Sequence, residues 1–412
     1  MGTPHFVVGG REYLSDLVNV LRDAFRSYRG LTTEVMETIV NEDEGVGNGL
    51  VAIAYVGNQA ASVSQVVVRE LVIGDSVIRV AGIANVGTKA SFRGKGLATS
   101  LLKHLLSELE GRGYLLAALF AGEGTQAYRI YRRLGFEVLW RFSKLVCSRY
   151  VLTKLRVPEV PSESSINELT REYINEVSKA YESYCLSSKL ALVTRRSRNY
   201  WLRLIRRNPY YTWFNGKAEG RGWILDLGGN DVTYLLMSTW SDLGLSSLRG
   251  NGAVIKEVIC RDSRSCSSLL LKGISTLLKE GINEVVIDTP INSVTASLLK
   301  SWGCKPIYDG EVLMIKALKP RELSKYLVSN VLRELGAGVT NDGKVELRVK
   351  GVTYRADPIT TIKLVVNALT PEEGVREGLL KPLDNYLSSD LRALGRDLRR
   401  YSQPYIWVID RW

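Results

Sequence analysis

Between Thr88 and Thr99 the chain reads TKASFRGKGLAT. Gly94 and Gly96 stand just before Leu97, Leu101, Leu102, Leu105 and Leu109, whose spacing marks one face of a helix. Glycine lets the backbone turn sharply and approach a ligand. A helix starting at Leu97 leaves its first N–H groups without intrahelical partners, and such donors suit a pyrophosphate. Arg93 and Lys95 add positive charge to the same rim. A Gly-rich turn before a helix is also a common structural feature, so its setting decides its weight. Here an extended segment, Ser76–Thr88, leads in. The apolar run Tyr114–Phe120 follows, as expected of a strand buried on both faces. Tyr131, in a predicted short helix Thr125–Leu134, offers a phenolic proton. His5 and His104 are the only histidines, which argues against a histidine triad or a multi-histidine metal site.

The elements that must position these residues read as mixed α/β. A short strand at His5–Val8 precedes a helix over Arg11–Phe25, with Leu14, Leu17, Val18 and Leu21 on one face. A second helix is expected over Leu31–Asn41. Strands follow at Leu50–Val56 and Ala60–Val72 about Gly57-Asn58, with a turn at Gly74-Asp75 before Ser76–Thr88. Phe136–Trp140 is a further strand. A length of 412 residues suggests two or three domains.

No apolar run reaches the roughly 18 residues that span a bilayer, and the first ten residues lack the pattern of a signal peptide. A cytoplasmic protein is expected. The five cysteines, Cys147, Cys185, Cys260, Cys266 and Cys304, are odd in number and lack a CxxC pair, which favours reduced, buried thiols over disulfides or zinc. The net charge of +12 is dispersed, with clusters at Arg195–Arg198, Arg206–Arg207 and Arg396–Arg400. No basic stripe interleaves with aromatics, which counts against nucleic acid.

Arg93-Gly-Lys-Gly-Leu-Ala98 resembles the Arg-x-x-Gly-x-Ala pyrophosphate motif of GNAT acetyltransferases. Val86-Gly87-Thr88 looks like that family's splayed strand, and Tyr131-Arg-Arg-Leu-Gly135-Phe136 like its Tyr-x-x-x-Gly-Phe segment. Val80–Gly87 (VAGIANVG) and Gly113–Gly124 (GYLLAALFAGEG) are similar to the Eis-like (enhanced intracellular survival) branch. The resemblance implies a GNAT fold, acetyl-CoA as cosubstrate, no metal, and transfer to a small-molecule or protein amine. It places cofactor contacts at Val86, Gly87, Thr88, Arg93, Gly94, Lys95, Gly96, Leu97, Ala98, Thr99, Gly122 and Glu123. Tyr131 becomes the general acid, with Tyr128, one turn earlier, as its rival. Eis-like proteins end in an aromatic residue whose carboxylate is the base, which puts Trp412 in that role. The branch also implies tandem GNAT-like domains, a sterol-carrier-like C-terminal domain and a homo-oligomer, a hexamer being one form. The expected boundaries are 1–156, 157–318 and 319–412.

Shifting the numbering by 168 lays Gly113 on Gly281, Gly135 on Gly303 and Leu97–Glu110 on the helix-like Ser265–Leu278. The shift also lays Gly96 on Arg264 and Tyr131 on Leu299, so the second copy reads as a degenerate GNAT-like domain without cofactor loop or acid. Coincidental glycine spacing is the alternative. Val157–Ser165 reads as the linker between the copies. Beyond Pro320, Glu322–Leu335 is helical in pattern, Lys344–Arg355 reads as two strands about Gly351, and two helical segments fall near Glu373–Leu380 and Tyr386–Leu398. The aromatic end Pro404–Trp412 reads either as a capping strand or as the carrier of the base.

Three functions compete: an amine N-acetyltransferase, a non-catalytic coenzyme A sensor or scaffold, and a nucleic-acid binder. The loop with Tyr131 favours the first. The acidic run Glu34, Glu37, Glu42, Asp43 and Glu44 could draw a cationic acceptor such as an aminoglycoside, a polyamine or a lysine, or could simply be a solvated face.

Overall fold

The computed structural model describes residues 3–25, 28, 30–73, 76–155, 166–188, 190–206, 221–226, 232–240, 251–385, 388–398 and 403–404. The expected Gly74-Asp75 turn, the linker 157–165 and Trp412 lie outside these residues.

The first sheet holds β1 (Pro4–Gly9), β2 (Leu50–Val56), β3 (Gln59–Ile73), β4 (Ser76–Thr88), β5 (Leu116–Gly122) and β6 (Glu137–Arg141). Helices α1 (Leu14–Ala24), α2 (Thr33–Glu42) and the short α3 (Glu44–Gly47) cover one part, and α4 (Leu97–Gly111) and α5 (Gln126–Arg133) another. The strands run antiparallel through β4, and β4 pairs β5 in parallel. Period-two alternation sorts β5: Leu116 and Ala118 enter one core, while Ala117, Leu119 and Ala121 enter the core beneath α4.

The second sheet uses β7 (Lys144–Ser148), β8 (Ile166–Glu168), β11 (Arg221–Asp226), β12 (Val232–Thr239), β13 (Gly252–Ile259), β14 (Glu284–Ile287) and β15 (Lys305–Ile307). The two-residue strands β9 (Leu190–Ala191) and β10 (Val193–Thr194) lie at the junction, where β10 pairs β3. Helices α6 (Arg149–Thr153), α7 (Ile174–Ser187), α8 (Arg198–Arg206), α9 (Ser263–Lys279) and α10 (Val294–Ser301) complete this unit. A strand after it, β16 (Glu311–Ala317), returns to the first sheet and inserts between β5 and β6.

The two sheets share one plan. Their orders are β1-β2-β3-β4-β5-β16-β6 and β8-β11-β12-β13-β14-β7-β15, each with one parallel pair, β4 with β5 and β13 with β14. The strand next to the last position of each sheet comes from the other half of the chain. Boundaries at 156 and 318 therefore do not separate the sheets, because β7 at 144–148 belongs to the second and β16 at 311–317 to the first.

The repeated glycines have a common physical role. Gly135 (φ 86°) follows α5, Gly135 N–H donates to Arg132, and Phe136 N–H donates to Tyr131. Gly303 (φ 95°) does the same after α10, through Lys300 and Leu299. Gly113 and Gly281 close α4 and α9 in the same pattern. These are Schellman caps, which require the left-handed residue that glycine supplies most readily.

Region 319 onward contributes α11 (Pro320–Tyr326), an antiparallel sheet of β17 (Gly336–Val339), β18 (Val345–Val349), β19 (Val352–Ala356) and β20 (Leu380–Pro382), and helices α12 (Pro358–Val365), α13 (Pro371–Arg376) and α14 (Ser388–Leu398). Its core is continuous with the first sheet through Val80, Leu116, Phe142 and Leu313. The last described pair, β21 (Gln403–Pro404), lies parallel to β9 rather than on the small sheet.

The expectation of reduced thiols is overturned. Cys147 pairs with Cys304 (Cα–Cα 4.5 Å) and Cys260 with Cys266 (5.4 Å), while Cys185 is buried and in neither disulfide. Spacing along the chain hid this, because Cys147 and Cys304 meet only when β7 crosses into the second sheet. The first bridge closes 157 residues and the second six. Chain entropy makes these worth about 5 and about 2 kcal/mol at most. Replacing Cys147 and Cys304 by alanine should lower the thermal midpoint clearly more than replacing Cys260 and Cys266. Calorimetry under non-reducing conditions checks the order, and equal midpoints would count against a stabilising clasp.

Candidate active site

The parallel pairing of β4 with β5 covers only Val80–Gly82 against Leu116–Ala118, although β4 continues to Thr88 and β5 to Gly122. The strands part, and a cleft of about 380 Å³ opens beside the end of β4, between it, α4 and α5. Its lining includes Val86, Gly87 and Thr88 from β4, Arg93, Gly94, Gly96, Leu97, Ala98 and Thr99 from the loop and α4, and Tyr131 from α5.

Gly96 is the N-cap of α4, with φ 75°, and Gly94 has φ 77°. Glycine at the cap has no side chain to occupy the first N–H groups, so they remain available to an anion. The corresponding helix of the second unit differs on this point. Position 94 shifts to 262, and Asp262 caps α9 by accepting from the N–H groups of Arg264 and Ser265. The Ser265 hydroxyl, donating to Asp262 Oδ2 (2.6 Å), and then these N–H groups hold its carboxyl below the usual range. A carboxylate therefore sits where a phosphate would bind. A second cleft persists beside it, lined by Tyr184, Ser187, Arg261, Asn292 and Ser293 among others.

Not every expected contact reaches the first cleft. Lys95 folds back: its Nζ donates to Ser91 O (3.1 Å) and lies over Phe92 (5.1 Å). Gly122 and Glu123 are not lining residues. Glu123 instead receives Arg141 Nη2 (2.7 Å) and Tyr308 Oη (2.6 Å), and the Arg141 bond leads in holding its carboxyl low. Arg93 lines the cleft but clasps its walls, donating to Ala24 O (2.8 Å) and Thr88 O (3.2 Å). Asp23 accepts from Ala90 N–H (2.7 Å), so the end of α1 is stapled to the loop. Gly87 permits this approach, since a Cβ there would stand 3.1–3.3 Å from Phe25, Ala24 and Leu21.

Tyr131 is buried beneath the cleft, its ring 6.1 Å from Phe136. The Schellman cap explains the Tyr-x-x-x-Gly-Phe spacing, because it brings the residue after the glycine against the residue five before it. Burial pushes the Tyr131 hydroxyl up to about 12. Tyr128 is half-buried and is not among the lining residues. Sequence reading missed Phe25, Phe92, Leu102, Gln126, Ala127, Ile130 and Arg133, which also line the cleft. The helical face of Tyr131 could have signalled Ala127 at i−4, but nothing local pointed to Phe25.

The acidic run does not gather at the cleft. Asp43 is fully buried, meets Arg69 through two contacts of 2.8 Å and pairs with Arg203 of α8. Burial alone would raise its carboxyl, but Arg69 and then Arg203 more than reverse this and hold it far below the ordinary range. Glu34, Glu37 and Glu44 are exposed, and none of the five lines the cleft.

Residues 10–139 match the family model described as the acetyltransferase (GNAT) domain. Over those residues the chain is similar to a GNAT acetyltransferase domain. No curated protein matches the chain in sequence. Solved structures align over its whole length. A GCN5-related N-acetyltransferase of Anabaena variabilis is 15% identical with TM-score 0.66, covering 100% of both chains. A conserved protein of Enterococcus faecalis, called a probable N-acyltransferase, is 13% identical with TM-score 0.69 over 100% of both chains. Eis1 of Mycobacterium abscessus is 14% identical with TM-score 0.61, again over 100% of both. At these identities the likeness is one of fold. GNAT domains use acetyl-CoA, and the uncapped α4 and its glycines fit a pyrophosphate. Among the described residues no group of three or more metal-ligating side chains occurs, and no helix is long and apolar enough to cross a membrane.

Gly96→Arg, which installs the second unit's residue, should abolish acetyl-CoA binding, because arginine strains the left-handed cap and fills the approach. Titration calorimetry should give one site per chain in the wild type. Two equivalent sites, or unchanged affinity in the variant, would overturn the assignment to the first unit.

Proposed function

We propose that the first unit is an N-acetyltransferase that passes the acetyl group of acetyl-CoA directly to an amine. The observation that carries this reading is the joint lining of one cleft by the uncapped α4 N-terminus and the Tyr131 phenol. The amine nitrogen bonds to the acyl carbon, the carbon–sulfur bond breaks, and the sulfur leaves with the electron pair. Tyr131 supplies a proton to that sulfur and is reprotonated from solvent. Backbone N–H groups of Val86–Thr88 stabilise negative charge on the acyl oxygen. The Trp412 carboxylate takes the amine proton.

Under this reading the second unit is a degenerate GNAT-like domain that shapes the acceptor side, and 319–412 is a sterol-carrier-like domain. The protein assembles as a homo-oligomer, with a hexamer as one form. Light scattering at micromolar concentration should show an assembly larger than one chain; an active monomer would remove this part.

Tyr131→Phe should lower kcat by about 10²–10⁴ while acetyl-CoA still binds, and Tyr128→Phe should change little. With its hydroxyl held near 12, Tyr131 stays protonated through pH 10, so no loss of activity near pH 10 should come from its ionisation. Thiol release with a panel of amines reads these effects. Tight acetyl-CoA binding without turnover on any amine would leave the chain a sensor or scaffold. Normal turnover after deleting Trp412, in a protein that still folds, would move the base elsewhere.

A further inference from the structure

Asn85 is a non-glycine residue with a left-handed backbone, φ 51°, in the middle of β4. The register against β3 explains the conformation. Gln65 stands opposite Ala84 and Val63 opposite Gly87, so Ser64 alone faces both Asn85 and Val86. This is a bulge, which leaves the extra residue outside the ladder and re-aims its neighbours. It falls beyond Gly82, where β4 has already parted from β5, and Val86 lines the cleft.

The Asn85 side chain is fixed from two directions. Its Nδ2 donates to Oε1 of the buried Gln65 (2.7 Å), and its Oδ1 accepts from Tyr28 Oη (3.0 Å). Tyr28 lies between α1 and α2, its ring 5.3 Å from Phe25, which lines the cleft. An amide suits this place because it donates and accepts at once. Asparagine also tolerates the left-handed region better than most side chains. Two hydrogen bonds thus tie the bulge of β4 to β3 on one side and to the α1–α2 connection on the other. Nothing in the proton transfers above uses Asn85, Gln65 or Tyr28.

We propose that Asn85, held by Tyr28 and Gln65, is a positioning residue that locks the β4 bulge and thereby aims its backbone N–H at the acyl carbonyl of the bound thioester. The idea rests on the acetyl-transfer reading of this cleft and adds the device that sets its carbonyl-polarising geometry. The lock reaches the α1–α2 connection, so a shift of that connection changes the aim.

The test uses the full chain with acetyl-CoA carrying carbon-13 at the carbonyl. Infrared difference spectra of the bound thioester report how strongly the carbonyl is polarised, whether or not an amine is turned over. The wild type should shift the carbonyl stretch to lower frequency on binding. Asn85→Gly keeps the left-handed backbone available and removes the side chain. It should lose most of that shift and at least tenfold in kcat, with acetyl-CoA affinity within about twofold. Tyr28→Phe should show the same signature, and the double variant should be no worse than the more impaired single variant, as expected of residues acting as one unit. Asn85→Asp retains the acceptor for Tyr28 and should recover part of the shift. An unchanged carbonyl frequency in Asn85→Gly, or an affinity that falls in step with kcat, would overturn the proposal. A wild type that polarises the carbonyl but acetylates no amine would defeat the transferase reading and leave the lock standing.

Discussion

The parting of β4 from β5 is the constraint on which the site depends. Backbone N–H and C=O groups must find partners. The outer edge of β4 has β3, and the outer edge of β5 has β16. Beyond Gly82 and Ala118 the inner edges have no ladder with each other, and the cleft is lined by the end of β4 with α4 and α5. A parallel ladder continued to Thr88 would close that gap. The bulge at Asn85 belongs to the same arrangement, since it turns the strand where pairing with β5 has ended.

Strand exchange makes the two units mutually dependent. β16 covers what would otherwise be the open edge of β5, and β7 does the same for β14. Neither sheet is complete without the other half of the chain. The buried Asp43, shared by Arg69 of the first sheet and Arg203 of α8, adds a second tie across the junction. Removing one partner of such a group is costly because it strands the others without water. The Cys147–Cys304 bridge holds the exchanged β7 against β15.

The second unit shows how little must change on a fixed frame to change its chemistry. It keeps the strand order, the Schellman caps and a cleft. Its helix α9 begins at Ser263, whereas α4 shifted by 168 would begin at 265, so the loop is drawn into the helix. Asp262 then satisfies the N–H groups that glycine leaves available in α4. Leucine stands at the place of Tyr131.

The helices, strands and their order were legible because local patterns report them. The leucines of α4, the alternation and apolar runs of the strands, and glycine after each capped helix all act within a few residues. The Gly94–Gly96 loop and the Tyr131 spacing were legible for the same reason, being a helix start and a helix end. Tertiary structure decided what joins distant parts. Asp43 reads as one acid in a run until Arg69 and Arg203 close on it. Cys147 and Cys304 read as isolated thiols until β7 crosses over. Lys95, placed by sequence beside the phosphates, turns back onto Phe92. Sequence by itself determined the periodicities, caps and charges along each element. Which strand completes which sheet, and which charges are taken out of water, followed only from packing, because those energies depend on contacts between residues far apart in the chain.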